Sequence, residues 1–395
     1  MLDLTKLARQ MQGISDHLSQ EAEAAQRRVE IARSLMKTAT GRQGELVTEL
    51  EAFSDRIFFA AAEPIEPLDT RIPIKTAPEA HTVLSSDGSQ ISPSHHEIAY
   101  CYLLNISRVI IHYGQSRYPL LDSLPEVIYR PEDLYASRKW GIRTEEWMGY
   151  KRTAAEAIML SELGKTATDS QDTDVPVLAL TDGSLIYWFL EQIPAKARNE
   201  ILQPVLKAWA KMKKARVPVM GYISASRSGE ALNFLRLQAC PYDEPDCLTH
   251  CDDDRSQTPC NAFSPLRDVT LWSTALAPGE RGPLWKSSAD ILGFYGEHTV
   301  YFCYVHVGAE VARVEFPQWV AEDSALLNSA LSLMLAQVQK GFGYPVALAE
   351  AHNQAVVRGG DRTRFFTLLE QQMIRAGLKN VGTSFKEARK RGSIA

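Results

Sequence analysis

The sequence predicts an α/β protein with a mixed sheet flanked by helices. Three β-rich runs joined by short connections, His81–Ser86, Ile98–Leu104 and Ser107–Tyr113, are typical of an antiparallel meander. Two later runs, Val175–Leu180 and Val217–Ile223, are apolar throughout, which is typical of strands buried on both faces. Because helical patterns separate these later runs, the connections favour parallel pairing between them.

Most of the remaining chain carries apolar residues at helical spacing. Helices are predicted over Glu145–Gly164, Ala195–Ala215, Ser324–Gln339, Pro345–Val357 and Arg362–Ala376. Two further strands are predicted over His298–Gly308 and Glu310–Phe316.

The chain also divides by composition. Residues 1–60 contain no proline between Leu4 and Phe59, which predicts a helical arm, broken into two helices near residues 38–41. The main α/β domain is predicted over 78–376, with an acidic, cysteine-bearing insertion at 236–290. A basic tail, 377–395, is expected to be solvated.

The overall charge limits the functions that the chain can have. The chain has 395 residues and a formal net charge of -5. It therefore does not belong to the positively charged proteins that bind nucleic acid through their overall charge. Any nucleic acid must then be held by a local basic patch or by metal ions. Six cysteines are too few for a secreted disulfide scaffold, and no signal-peptide pattern opens the sequence, so we expect a cytoplasmic protein. The longest apolar runs are too short for a membrane span, so no membrane partner is expected.

The tripeptide Asp-Gly-Ser follows two of the predicted strands, at Asp87 and again at Asp182. Either tripeptide alone is typical of a hairpin turn, because glycine tolerates positive φ and aspartate caps turns. The repetition favours a site, since α/β sheets bind ligands at the carboxyl ends of their strands. Ordinary turn residues remain the alternative.

A third carboxylate, Glu156, lies among small apolar residues on the helix between these strands. A buried carboxylate needs a partner or a metal, and a cluster of Asp87, Glu156 and Asp182 would suit Mg²⁺ or Mn²⁺. The alternative is an exposed surface pair between Glu156 and Arg152. Three other glutamates share the predicted helix and compete for the role: Glu145, Glu146 and Glu162.

The ordered set of motifs resembles the NurA nuclease family. It comprises the two strand-end Asp-Gly-Ser motifs, the helical Arg152-x-x-x-Glu156 and the late helical Leu348-Ala-Glu-Ala-His352. The resemblance implies a ribonuclease H-like fold, Mn²⁺-dependent (or Mg²⁺-dependent) hydrolysis of DNA, a homodimer, and a HerA-like hexameric ATPase as partner. It also implies that Asp87, Glu156 and Asp182 are the catalytic, metal-binding acids and that His352 is a catalytic histidine.

Basic and hydroxyl side chains near these motifs are candidates for DNA contacts. Ser224 and Arg227 follow the strand that ends at Ile223, and could contact phosphate or simply form a polar loop. Lys211 and Lys214 belong to a basic helix that could follow a DNA backbone or be a solvated surface.

Four cysteines in the insertion do not match the family pattern. Cys240, Cys247, Cys251 and Cys260 have the spacing C-x6-C-x3-C-x8-C, which differs from the common zinc-ribbon and ferredoxin spacings. In a chain expected to be cytoplasmic, structural zinc is the first interpretation, an iron–sulfur cluster the second, and unligated thiols the third. The dense acidic residues around them favour contact with protein over contact with DNA.

We therefore predict a metal-dependent DNA nuclease, with single-strand endonuclease and 5′–3′ exonuclease activity, in DNA end processing and recombinational repair. The alternative from another class is a catalytically inactive scaffold or regulator of a DNA translocase. A third hypothesis is a nuclease that prefers RNA, since metal-assisted hydrolysis does not itself select the sugar.

Overall fold

The computed structural model describes residues 3–11, 14–93, 100–169, 175–251 and 258–377. The chain forms two compact units, Met1–Ile74 with Tyr222–Gln318, and Lys75–Gly221 with Trp319–Ala395. Helices and strands mix in both units, and the predicted α/β class with a mixed sheet flanked by helices is confirmed. The domain boundaries at 60, 78, 236, 290 and 376 stay predictions, and the basic tail lies outside the described residues after position 377.

The strands are numbered in chain order. They are β1 Glu63–Pro64, β2 Ile72–Pro73, β3 His81–Ser85, β4 Gly88–Ile91, β5 Tyr102–Tyr113, β6 Leu120–Ile128, β7 Val177–Asp182, β8 Val219–Ile223, β9 Glu280–Arg281, β10 Trp285–Lys286, β11 Val300–His306 and β12 Val311–Pro317.

The α-helices are numbered in the same way. They are α1 Leu4–Gln10, α2 Ile14–Gly41, α3 Gln43–Phe53, α4 Pro131–Leu134, α5 Thr144–Asp169, α6 Ala195–Lys214, α7 Glu230–Ala239, α8 Cys247–His250, α9 Asp268–Ser273, α10 Gln318–Ala321, α11 Ser324–Lys340, α12 Val346–Ala355 and α13 Gly359–Arg375.

The sheet of the second unit contains both strands that end in Asp-Gly-Ser. β3 pairs in parallel with β7, and β7 neighbours β8. β5 pairs antiparallel with β3 and β4 along one edge and with β6 along the other. Their apolar residues are mostly buried, as the continuous apolar runs predict.

The prediction of two separate strands before and after residues 105–106 is wrong. A single strand, β5, runs without a break from Tyr102 to Tyr113, and residues 98–99 of the first predicted strand lie outside the described residues. Asn105 disfavours a strand interior, but its buried amide Nδ2 donates to the carbonyl of Ala355, 2.8 Å away. This long-range hydrogen bond satisfies the polar group that interrupts the sequence pattern.

The sequence analysis did not predict β6. Its residues Leu120–Ile128 include charges and Pro125, and they show no apolar alternation. Among the described residues β6 pairs only with β5, so it is an edge strand, where proline and charge are tolerated.

Helices cover this sheet and position two of the candidate residues. α5 packs against β3, β4, β5, β7 and α6, and α12 packs against β3 to β7 and α11. α5 is longer at both ends than the predicted Glu145–Gly164, because buried residues continue to Ala167.

The first unit is built around a separate apolar core. β11 and β12 form its longest antiparallel pair, and β10 continues the pairing from β11 to β1. Buried aromatic residues of these strands pack with residues of α2, α3, α7 and α9.

The N-terminal arm is helical, as predicted, and its break at Gly41 is close to the expected position. A second interruption, between α1 and α2, was not predicted. Buried residues on α2 and α3 pack into the core of the first unit: Ala32, Ala39, Leu46 and Leu50. Within the described ranges, no helix has the length and apolar character needed to cross a membrane.

Gly221 in β8 gives a stability test of how β8 packs against the loop that follows β7. A Cβ at this position would lie 2.7 Å from the carbonyl oxygen of Gly183. We expect Gly221→Ala to lower the free energy of unfolding by about 1–3 kcal/mol, because the neighbouring atom is backbone and cannot rotate away. Urea unfolding of the two proteins measures the difference.

Gly149 supplies the matched control for this substitution. It lies inside α5, and an added Cβ would meet no atom within 4 Å. Gly149→Ala should stabilise the protein by about 0.5–1 kcal/mol, because alanine loses less backbone entropy in a helix. Equal effects of the two substitutions would contradict the close packing at Gly221.

Candidate active site

The two strand-end aspartates lie side by side because of the parallel register. Ser85, the last residue of β3, pairs with Leu180 of β7. Two residues further along the chain come Asp87, just beyond β3, and Asp182, the last residue of β7. Besides burial, the charge of Asp87 raises the pKa of Asp182, as expected for neighbouring carboxylates. Both carboxylates therefore lie at the carboxyl edge of the sheet, where α/β folds build their sites.

Backbone hydrogen bonds fix Asp87. Its amide donates to the Ser107 hydroxyl and its carbonyl accepts from the Ser107 amide, both at 2.8 Å. The Gly88 amide donates to Oδ1 of Asp87 at 2.7 Å. The segment is not a hairpin turn, because β3 before it and β4 after it both pair with β5.

Glu156 is the third carboxylate of the cluster, and α5 directs it toward Gly88. Its side chain is only 18% exposed, and its Oε1 lies 3.2 Å from Nε of Arg152. A Cβ at Gly88 would lie 2.6 Å from this oxygen. The Glu156 carboxylate therefore fits here because Gly88 has no side chain. Its pair with Arg152, which the alternative interpretation placed on an exposed surface, lies within the site.

Burial raises the pKa of Glu156 to about 8, and the charges of Asp87 and Asp182 act in the same direction. The Arg152 guanidinium and the Gly88 amide oppose this shift but do not cancel it. Three carboxylates crowded in this way repel one another unless a proton or a cation is present.

A tyrosine that the sequence analysis did not select contacts the second aspartate. Burial and the charge of Asp87 raise the pKa of Asp182, while a hydrogen bond from the Tyr344 hydroxyl and the nearby His352 oppose the rise. Tyr344 stands directly before Pro345, at the start of the helix α12 that carries His352. This position in the sequence could have identified it as a candidate site residue.

His352 joins the cluster through Asp87. Its Nδ1 lies 3.2 Å from Oδ2 of Asp87, and because a carboxylate only accepts, Nδ1 carries the proton. The ring is 66% exposed, so burial does not hold it in place. The end of its helix is held instead, since the carbonyl of Ala355 accepts from Asn105 and from the Ser89 hydroxyl.

A cleft with a volume of about 370 Å³, open to solvent, is lined by the carboxylates. Asp87, Glu156 and Asp182 line it together, and a short turn after β7 contributes Trp188 and Phe189. The cleft is large enough for a nucleotide-sized ligand.

The carboxylates fit a divalent metal by their chemistry. In the part of the chain that the structure describes, no group of three or more His, Cys, Asp or Glu side chains is arranged as a ready metal site. Each of the three is engaged with a protein partner, namely His352, Arg152 or Tyr344. Oxygen donors whose mutual repulsion a cation would relieve are the donors that Mg²⁺ and Mn²⁺ prefer.

The remaining predicted contact residues divide between the two units. Lys211 and Lys214 are exposed in the last turn of α6, in the same unit as the carboxylates. Ser224 and Arg227 are exposed and belong to the other unit.

The four cysteines of the insertion line one small pocket in the first unit. None of them forms a disulfide. The thiols of Cys247 and Cys251 are hydrogen-bonded, and Cys251 is also close enough to Cys240 and Cys260 to interact electrostatically. The structure thus brings together residues that are up to 20 positions apart in the sequence. Cys101 and Cys303 are buried core residues, as predicted.

Comparison with known proteins identifies the family. The model of the NurA domain matches residues 81–357, which is more than half of the chain and includes all four candidate catalytic residues. The chain belongs to the NurA family. This membership confirms the resemblance seen in the motifs and supports a nuclease.

Solved structures agree with the fold. The NurA nuclease from Sulfolobus solfataricus matches with a TM-score of 0.50 and 12% identity, over 95% of this chain and 98% of that one. The match confirms the predicted ribonuclease H-like fold. A structure described as NurA with manganese matches at 12% identity over 84% of this chain and 100% of that one, but its TM-score of 0.31 is too low to support an argument. Comparison with curated proteins finds no match.

The raised pKa of Glu156 predicts a dependence of stability on pH. Between the ordinary pKa of 4.5 and about 8, the unfolded chain loses this proton while the folded protein keeps it. The unfolded state then binds fewer protons, so this group lowers stability as pH rises through that window. Glu156→Gln should raise the free energy of unfolding of the metal-free protein above pH 8 by on the order of 1–3 kcal/mol.

Unfolding by urea in chelator, at about pH 5 and about pH 8.5, measures this gain, which should be small at the lower pH. Glu200→Gln is the matched control, because Glu200 is a surface carboxylate paired with Lys151 at 2.8 Å. A gain for Glu156→Gln that is equal at both pH values would show that ionisation is not its cause.

Proposed function

We propose that this chain is a divalent-metal-dependent nuclease that hydrolyses phosphodiester bonds in DNA. The convergence of Asp87, Glu156 and Asp182 at one cleft, with His352 hydrogen-bonded to Asp87 beside them, carries the proposal. These residues come from two strands and two helices far apart in sequence, and ordinary turn or cap functions do not require them to meet. Membership of the NurA family supports the same activity.

Asp87, Glu156 and Asp182 would hold Mn²⁺ or Mg²⁺. The bound metal would activate water, neutralise charge on the phosphate and stabilise the leaving oxygen. Glu156 must lose the proton that its buried position favours before it can bind a cation, so we expect metal binding to strengthen as pH rises toward about 8.

In His352, one ring nitrogen contacts Asp87 and the other is left to contact the substrate. Its Nδ1 is engaged with Asp87, which orients the ring, and in the imidazolium form Nε2–H would donate to a phosphate oxygen or pass its proton to the leaving oxygen. In this role the histidine assists the departure of the cleaved strand, while Tyr344 holds Asp182 in place through its hydroxyl.

The finer functional assignments extend this proposal. From the family resemblance we infer single-strand endonuclease and 5′–3′ exonuclease activity in DNA end processing. The same resemblance suggests that the protein is a homodimer and that its partner is a HerA-like hexameric ATPase. The exposed Lys211 and Lys214 would contact the DNA backbone, and the exposed Ser224 and Arg227 would contact phosphate.

Asp87→Asn gives the direct test of the active site. Removing one charge from the cluster should lower the rate of Mn²⁺-dependent cleavage of single-stranded DNA by at least about 100-fold, because a lost ligand weakens both metal binding and charge stabilisation. Gel assays with end-labelled strands measure the rate, and thermal unfolding confirms that the variant is folded. A parallel RNA strand tests sugar selectivity.

Asp122→Asn is the matched control, since Asp122 is a carboxylate on β6 that pairs with Arg108 at 2.6 Å and does not line the cleft. It should cleave like the wild type. Undiminished cleavage by Asp87→Asn would refute the assignment. If the wild type itself cleaves no nucleic acid with Mn²⁺ but stimulates a DNA translocase ATPase, the scaffold alternative replaces the nuclease.

We also propose structural zinc at the four cysteines of the first unit. The thiols line one pocket, and the guanidinium of Arg236 lies 3.5 Å from Cys260 Sγ, where a positive charge would balance a zinc–tetrathiolate centre. Such a site would stabilise an insertion that has few regular elements.

Metal analysis of the full-length protein, purified without chelator, should find one zinc per chain. Cys247→Ser should remove the zinc and lower the unfolding temperature, because zinc binding contributes folding free energy. Cys101→Ser, at a buried position directly before β5 in the other unit, should retain the metal. Iron and sulfide in place of zinc would select the cluster interpretation, and absence of any metal would leave the thiols unligated.

A further inference from the structure

Two large aromatic side chains are exposed on the turn that follows β7. Trp188 is 44% exposed and Phe189 is 39% exposed, whereas Tyr187 and Leu190 on either side are buried. Burial of such a ring typically contributes about 1.5–3 kcal/mol, so exposing two adjacent rings forgoes a substantial stabilisation. Paired exposed aromatics of this kind usually mark a binding surface.

The turn presents these rings from a rigid base. Leu190 is fully buried, and its amide donates to the carbonyl of Tyr187 at 2.9 Å. The amide of Glu191 donates to the carbonyl of Trp188 at 3.0 Å. The position of Trp188 is therefore set by a short hydrogen-bonded helical turn whose neighbouring residue is anchored in the core.

The two rings differ in what already covers them. Phe189 stacks on Tyr150 with ring centroids 4.7 Å apart and planes inclined by 14°, so one of its faces is occupied. Among the described aromatic residues, none stacks on Trp188. Trp188 is consequently the ring with a face available to a ligand.

Trp188 and the carboxylates line the same cleft. A strand whose phosphate lies at Asp87, Glu156 and Asp182 must place its adjoining bases within or beside this cleft. Stacking of a base on an aromatic ring contributes about 1–3 kcal/mol and tolerates any base. Bases in a duplex already stack on their neighbours and are paired, so an unpaired strand gains this contact at a much lower cost.

We propose that Trp188 stacks on an unpaired base of the bound strand and thereby makes the site selective for single-stranded over double-stranded nucleic acid. The inference rests on the proposed nuclease function and adds a residue that determines its substrate. Trp188 acts in binding and positioning, while the carboxylates and His352 perform the chemistry.

Metal-free binding measurements test this role without requiring cleavage. Fluorescence anisotropy of a labelled oligothymidine, with full-length protein in chelator, should show Trp188→Ala binding about 5- to 150-fold more weakly than the wild type. Trp188→Phe should recover part of the loss. Tyr118→Ala is the matched control, because Tyr118 is 95% exposed and lies outside the cleft, and it should bind normally.

A strand of the same length with abasic sites isolates the stacking contribution. Wild type and Trp188→Ala should bind it equally, since no base is present to stack. If Trp188→Ala weakens the abasic and the base-bearing strands to the same extent, or if it binds oligothymidine as tightly as Tyr118→Ala does, the proposal is overturned.

Cleavage by the wild type with Mn²⁺ separates the two proposals. Cleavage of single strands, combined with undiminished binding by Trp188→Ala, rejects the role of Trp188 and leaves the nuclease intact. Base-dependent binding through Trp188 without any cleavage rejects the nuclease while preserving the single-strand contact. A lower ratio of single-strand to duplex cleavage in Trp188→Ala than in the wild type supports both.

Discussion

Electrostatic crowding of three carboxylates is the constraint around which the second unit is organised. Asp87 and Asp182 are adjacent because β3 and β7 pair in parallel, and α5 adds Glu156 above Gly88. In the metal-free protein this arrangement costs stability: burial, and then the charges of Asp87 and Asp182, raise the pKa of Glu156. A protein maintains such a cluster when a cation or a substrate offsets it, and strain of this kind is characteristic of catalytic sites.

The surrounding hydrogen bonds explain how the cluster stays assembled. Ser107 fixes the backbone of Asp87, and the carbonyl of Ala355 ties the end of α12 to β4 and β5. His352 is therefore positioned by its helix although its ring is largely exposed. Its contact with Asp87 is then a result of backbone anchoring, which leaves the ring accessible from solvent.

The local patterns predicted most of the fold because they follow directly from burial. Continuous apolar runs identified β7 and β8, and helical spacing identified α5, α6, α11 and α12. Two failures share a physical cause, since edge strand β6 and the polar Asn105 within β5 are stabilised by pairing and by a long-range hydrogen bond. Neither interaction leaves a periodic signal in the local sequence.

The sequence by itself determined which residue types were available for chemistry: the repeated Asp-Gly-Ser, the helical glutamate, the late histidine and the four cysteines. Its net charge of -5 also ruled out a protein that binds nucleic acid through an overall positive charge. Only the tertiary structure decided that Asp-Gly-Ser at 87–89 is not a hairpin, that Glu156 rather than its helical neighbours completes the cluster, and that Tyr344 and Trp188 belong to the site. The physical reason is that strand register, helix rotation and the absence of a side chain at Gly88 set distances between residues far apart in the chain, and a one-dimensional pattern does not contain those distances.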